Sequence, residues 1–187
     1  MSGREKLLTA VKFIAWGYIF IHLDINLGTL NILPNWVGYI LLMKALPALS
    51  EEETSAALLR PLGTALAVWN FISWLVKLFG ITYGSLAVQN IMSVIGYVMI
   101  IIGMYFHFQL LTNLANAAER YNCSQKDRIL RLRAVNTVLM LVLNLPLPWD
   151  KIEAAAIILL FVMAAVTLWI CAVLFSLKKE LDYGNLD

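Results

Sequence analysis

The chain has 187 residues, of which 61% are hydrophobic and only 14% are charged, and its formal net charge is +2. Soluble domains have roughly 45–50% apolar and about 25% charged residues, and a soluble fold of this size could not bury so much apolar surface. The composition therefore excludes an ordinary soluble protein. It predicts a single-domain, all-α integral membrane protein, because the apolar runs are continuous rather than alternating.

The apolar segments predict three helical hairpins, since a helix needs about 20 mostly apolar residues to cross the bilayer. The first segment is followed by no A-x-A-like cleavage site, so we interpret it as a retained span rather than a signal peptide. Ser50 and Glu53 form a capping-box pattern that predicts a short surface helix. The predicted spans cover about residues 7–25, 34–49, 61–81, 86–111, 129–145 and 151–177, with the surface helix at 51–60.

The basic residues predict the orientation of these spans. If the N-terminus is cytoplasmic, 12 of the 14 lysine and arginine residues fall on the cytoplasmic side, and only Lys77 and Lys151 fall on the outer side. The positive-inside rule then favours six crossings with both termini in the cytoplasm. The second span is short, and a re-entrant loop would place the basic cluster at residues 120–133 outside, so we favour a true crossing.

One stretch carries a resemblance. Phe20–Leu42 contains the sequences LDIN and ILPNWVGYILL, and it resembles the first hairpin of uncharacterised small multi-pass membrane proteins of Gram-positive bacteria. The stretch is about an eighth of the chain. The resemblance implies a bacterial plasma membrane and carries no activity with it.

Ionisable groups inside spans are functional candidates, because they are expensive to bury in lipid. Asp24 ends the first span, where a carboxylate opposes the helix dipole. Either the turn that follows accommodates Asp24, or Asp24 forms an ion pair with Lys77, and the sequence leaves both open. His22 and His107 are candidates for proton handling, with packed or interface-facing histidines as the alternative.

The polar residues near the predicted outer surface suggest a binding site for a small molecule. They are Asp24, Asn26, Asn31, Lys77, Gln89 and Asn90. We therefore expect a small-molecule-binding or transport component with an outward-facing polar site. The alternative is a non-catalytic accessory subunit that packs against a larger membrane partner, in which buried polar groups join helices by hydrogen bonds. Gly96 and Gly103 lie on one face of the fourth span and predict a close approach by another helix.

Several classes of function have no support in the chain. It has no nucleophile elbow, metalloprotease motif, phosphate-binding loop or dinucleotide fingerprint, and no His or Cys cluster with metal-ligand spacing. We therefore expect no catalysis, cofactor or metal. The basic cluster at 120–133 is small and suits topology and anionic lipid headgroups rather than nucleic acid.

Overall fold

The computed structural model describes residues 3–22, 26–27, 30–31, 34–81, 84–145, 147 and 151–183. The described residues contain six α-helices, which confirms the all-helical expectation. The helices are α1 (Gly3–His22), α2 (Asn35–Glu52), α3 (Leu59–Leu78), α4 (Leu86–Arg120), α5 (Lys126–Leu143) and α6 (Glu153–Tyr183). Two short antiparallel strands, β1 (Asn26–Leu27) and β2 (Leu30–Asn31), lie between α1 and α2.

The junction between α2 and α3 differs from the sequence prediction. The helix α2 continues to Glu52, a 3₁₀ helix covers Thr54–Leu58, and α3 begins at Leu59, so the separate surface helix at 51–60 is not formed. The Ser50 side chain does not cap the start of a helix, because its hydroxyl donates to the Pro47 carbonyl at 2.8 Å within α2. Helix α2 therefore includes Glu51 and Glu52, which the capping pattern assigns to a new helix.

The six helices are arranged in a ring. Each helix packs against its neighbours in sequence, and α6 also packs against α1, which closes the ring. The tightest crossing joins α1 and α2, where a Cβ atom on Gly38 would lie 2.7 Å from the Gly17 carbonyl oxygen. Only glycine fits at such a backbone contact, so this pair fixes how closely the first two helices approach.

The close approach predicted at Gly96 and Gly103 is wrong. A Cβ atom on Gly96 would have its nearest neighbour, Trp69 Cζ2, at 3.9 Å, and one on Gly103 would meet Leu66 Cδ2 at 3.7 Å. Both distances are ordinary van der Waals contacts, so a Cβ atom would fit at either position. Neither glycine therefore marks an approach that only glycine allows.

Burial divides the bundle into two halves. The terminal half contains α1, α2 and the parts of the other helices packed around them, namely residues 59–67, 103–120, 126–136 and 166–181. The distal half contains residues 68–78, 86–102, 137–143 and 153–165, and none of these residues is buried. Large apolar side chains are open there, such as Leu86 at 76% exposure and Phe161 at 74%. Water is a poor solvent for so much continuous apolar surface, and hydrocarbon is a suitable one.

Three described helical segments are long and apolar enough to cross a bilayer. They are Thr54–Leu78, Leu86–Arg120 and Glu153–Tyr183. The other three helices, α1, α2 and α5, each carry three or more charged residues within their length. The sequence prediction of helices that are long and apolar enough to cross a membrane is therefore confirmed for three segments.

A polar layer ties the terminal half together at its end. Arg4 Nε donates to the Leu181 carbonyl at 2.8 Å, which joins the start of α1 to the end of α6. Lys6 pairs with Glu51 at 2.8 Å, and Arg120 pairs with Glu53 at 2.7 Å. The start of α1, the α2–α3 junction, the end of α4 and the end of α6 therefore lie at one end of the bundle.

Candidate functional site

A cavity of about 640 Å³ lies between α3 and α4 in the distal half. Lys77 and Gln89 line it near the turn that joins the two helices, and Ser73 and Ser93 add hydroxyl groups one helical turn further in. The remaining walls are apolar and consist of Trp69, Ile72, Val76, Met92 and Ile95. Sites for small molecules typically have about 300–1,000 Å³ and mostly apolar walls with a few polar groups, so this cavity has the size and the lining of such a site.

Two further cavities share walls with the first. One, of about 490 Å³, lies between α4 and the end of α5 and includes Ser93, Gly96 and Asn144. The other, of about 160 Å³, includes Trp69, Gly96 and Asn144 and extends to Tyr39. Because Gly96 has no side chain, the space on either side of α4 is open at this level.

Of the predicted site residues, the structure brings Lys77 and Gln89 into one cavity. Asn90 is exposed and lies outside the cavity walls. Asn26 and Asn31 are paired across the two short strands. Asp24 lies outside the described residues, so the proposed Asp24–Lys77 ion pair stays a prediction.

The two histidines, which the sequence offered as separate candidates, lie side by side. Their ring centroids are 5.4 Å apart. His107 is 1% exposed and lies between two tyrosine hydroxyls, with Tyr18 Oη 3.3 Å from its Nδ1 and Tyr39 Oη 3.4 Å from its Nε2. His22 Nε2 is buried and has no hydrogen-bond partner among the described residues.

Sequence reasoning missed Tyr18 and Tyr39 as members of this cluster. Tyr18 precedes His22 by four residues, and its ring centroid lies 5.5 Å from that of His22, as expected for neighbours on one helix face. That spacing was a usable signal. Tyr39 had none, because its contact with His107 depends on how α2 packs beside α4.

Arg133 also has a role that the sequence did not indicate. The sequence places Arg133 in the cytoplasmic basic cluster. In the structure its Nη1 donates to Thr112 Oγ1 at 2.8 Å, and its guanidinium lies 4.3 Å from the centroid of the Phe108 ring. Arg133 therefore joins α5 to α4 inside the bundle.

At the terminal end, two groups have shifted pKa values. Burial, followed by a 2.8 Å hydrogen bond to Glu52, raises the pKa of Tyr121 to about 12. Burial alone would raise the pKa of Glu180, but hydrogen bonds from Gln125 and Ser124 outweigh it and lower that pKa below its ordinary value. Glu180 therefore holds the α4–α5 loop to α6 as a carboxylate.

Metal binding has no support in the geometry of the described residues, which contain no group of three or more His, Cys, Asp or Glu side chains able to hold an ion. Cys123 and Cys171 are both buried and unbonded to each other. Comparison with known proteins gives no match to a family model, a curated protein or a solved structure.

Proposed function

We propose that this chain is a multi-pass protein of a bacterial plasma membrane that binds a small molecule from outside the cell, alone or as a component of a transporter. In this proposal all six helices cross the bilayer, both termini are cytoplasmic, and no catalysis is involved. The polar layer supports the orientation, because it places Arg4 and Lys6 of α1 and Arg120 of α4 at one end, where the positive-inside rule favours the cytoplasm.

The weaker spans fit this arrangement through their charge placement. In α1, three of the four charged residues, Arg4, Glu5 and Lys6, lie in the first turn at the terminal end. Lys12 and Lys44 lie deeper and are exposed, so their long side chains reach the cytoplasmic headgroups by snorkelling. Local thinning of the bilayer accommodates the short helices at modest cost.

The observation that carries the proposal is the 640 Å³ cavity between α3 and α4. Its apolar body would hold a hydrocarbon or ring portion, and Lys77 at its edge would attract an anionic group such as a carboxylate. The described terminal half beneath it is closely packed, with residues such as Leu46, Leu110 and Leu174 at 0–1% exposure. A binding component, which releases its ligand to the same side or through a partner, fits this better than an open channel.

Native mass spectrometry in a mild detergent tests the proposal, with octanoate as a probe that combines an apolar chain and a carboxylate. We expect adducts, either copurified small molecules or added octanoate, on the unaltered protein. Ser93→Leu should remove them, because Ser93 lines the 640 Å³ cavity and the larger side chain fills part of it. Val98→Leu is the matched control, since Val98 lies on the same helix, is 50% exposed and lines none of the three cavities.

The charge at the cavity edge is tested separately. Lys77→Gln should weaken octanoate binding by about tenfold through loss of the charge-assisted contact, while Lys151→Gln, at another exposed distal lysine, should leave it unchanged. Equal adduct levels in the unaltered protein, Ser93→Leu and Val98→Leu would contradict the proposal.

The accessory-subunit alternative is favoured by one observation. Nine of the ten residues from 86 to 95 of α4 are exposed, so this stretch shows nearly its whole circumference instead of one face. A partner helix would cover part of it. Purification of one stoichiometric membrane partner, with no small-molecule adduct in the complex, would establish this alternative over the first.

A further inference from the structure

The histidine pair described above is the basis of a second function, which rests on the proposed ligand site. The chain has only two histidines, and the fold brings these two into contact across 85 positions of sequence. A histidine is the side chain whose ordinary titration range is nearest neutral pH. Tyr39, which contacts His107, also lines the 160 Å³ cavity, so the pair is a candidate proton-binding site next to that cavity.

His107 has hydrogen-bond acceptors that can stabilise a positive charge on its buried ring. A protonated imidazole has two N–H donors and needs two acceptors, and an unpaired charged group in the interior is strongly unfavourable. Tyr18 Oη and Tyr39 Oη lie 3.3 Å and 3.4 Å from the two ring nitrogens, so both donors of a protonated ring have an acceptor.

The neutral ring uses the same two hydroxyls differently. A neutral imidazole donates from one nitrogen and accepts at the other, so one of the two tyrosines must donate to it. When the ring gains a proton, both tyrosines accept, and each hydroxyl is obliged to direct its own hydrogen elsewhere. In the neutral tautomer that carries its hydrogen on Nδ1, Tyr39 donates to Nε2, so protonation of His107 turns the Tyr39 O–H away from the ring.

Tyr39 connects this change to the ligand cavity. It lines the 160 Å³ cavity together with Gly103, and this cavity shares Trp69 with the 640 Å³ ligand cavity. Protonation of His107 therefore turns the Tyr39 hydroxyl into a hydrogen-bond donor that faces the cavity. A ligand that places an acceptor such as a carboxylate in the 160 Å³ cavity, instead of at Lys77, would bind this state more strongly.

We propose that His22 and His107 form one proton-binding site behind Tyr39 of the 160 Å³ cavity, and that a proton and an acceptor-bearing ligand are taken up together through Tyr39. The site takes up its protons one at a time, because the charge of the first proton opposes a second at this ring separation. The proton comes from the outer medium and adds to an imidazole lone pair, and no covalent bond to the ligand is formed.

The surroundings of the pair are consistent with this role. The titratable groups in contact with the rings are Tyr18 of α1 and Tyr39 of α2. On α5, Arg133 stacks on Phe108 beside His107, and on α6 the Cys171 thiol donates to the Ala15 carbonyl. The titratable residues of α3 are Arg60 and Lys77, which lie at its two ends. Asp24, two positions after His22, lies outside the described residues.

The pair is tested by NMR on protein with ring-¹⁵N histidine in lipid nanodiscs, titrated between about pH 4 and about pH 9. Two histidines give two sets of ring signals, and His22→Gln or His107→Gln assigns them. We expect the unaltered protein to take up its protons in two steps separated by at least about one pH unit, and each single variant to titrate in one step. Two independent titrations that are unaffected by replacing the other histidine would overturn the shared site, as would the absence of any titration.

The coupling to ligand is tested by repeating the titration with octanoate. Octanoate should move the first midpoint to higher pH, because the ligand stabilises the protonated state. Octyltrimethylammonium, which has the same chain and no acceptor, should not do so. Tyr39→Phe should abolish the octanoate shift, and Tyr105→Phe is the matched control, since Tyr105 is 52% exposed on α4 and faces away from the cluster.

The outcomes separate the two proposals. If octanoate binds by mass spectrometry but moves no midpoint, the coupling is wrong and the ligand site stands. If the shift occurs equally in Tyr39→Phe, it arises from surface charge on the lipid, and the coupling is again wrong. If no ligand binds, the proposed function fails together with this inference.

Discussion

The two halves of the bundle have similar apolar composition and opposite packing. On α4, residues such as Leu110 and Leu114 in the terminal half are 0% exposed, whereas Ile91 in the distal half is 58% exposed. The cause is helix length: α4 has 35 residues and α2 has 18, which correspond to about 52 Å and about 27 Å at 1.5 Å per residue. Beyond the ends of α1 and α2, the longer helices lose two described neighbours. Hydrophobicity brings all six helices together, but length decides where they enclose a core and where they enclose a cavity.

Truncation of a leucine in each half gives the largest expected contrast. Leu174→Ala on α6 should lower the free energy of unfolding by about 2–5 kcal/mol, because it leaves a void in a closely packed core, and Leu174 is 0% exposed. Leu160→Ala, on the same helix at 60% exposure, should change it by about 0.5 kcal/mol or less. Denaturant-induced unfolding in one detergent measures both, and similar losses would mean that the halves are packed alike.

Addition of a methyl group, instead of its removal, compares the packing at the α1–α2 crossing with the packing beside α4. Gly38→Ala places a Cβ atom 2.7 Å from the Gly17 carbonyl oxygen, so it should destabilise the protein by about 1–3 kcal/mol or more. Gly96→Ala meets its nearest neighbour at 3.9 Å and should be neutral or slightly stabilising. A thermal unfolding midpoint that falls equally in both variants would contradict the assignment of the close crossing to α1 and α2.

The smallest expected effect concerns pH and the terminal polar layer. Because the folded-state pKa of Glu180 is lowered, its carboxylate contributes stability above the unfolded-state pKa, and that contribution is lost as the pH falls through the folded-state value. Glu180→Gln should therefore flatten the decline of the unfolding midpoint in mildly acidic solution. Glu153→Gln, at an exposed distal carboxylate, should retain the full decline. Identical pH profiles for the two variants would show that Glu180 is not a specific anchor.

The sequence predicts the helices well, because their apolar runs are long and clearly separated. It also anticipated Lys77 and Gln89 as neighbours, since both flank the turn of one hairpin. It could not predict the contact of His107 with Tyr39, which depends on the packing of α2 beside α4 and on no local pattern. The glycines show the same limit. A glycine in an apolar helix is compatible with a close helix crossing and with a cavity, and only the packing of the neighbouring helix distinguishes Gly38 from Gly96.

The proposed ligand site requires a water-accessible cavity in the distal half that opens to the outside. Ser93 lines two of the cavities, whereas its neighbour Val94 lines none of the three and is 63% exposed toward the surrounding lipid. Single cysteines at these positions, in a background carrying Cys123→Ser and Cys171→Ala, can be treated with a membrane-impermeant thiol reagent on intact cells. We predict that Ser93→Cys reacts at least about tenfold faster than Val94→Cys, because only a hydrated thiol ionises and reacts readily. Equal reactivity at the two positions, or reaction of Ser93→Cys only from the cytoplasmic side, would contradict the account.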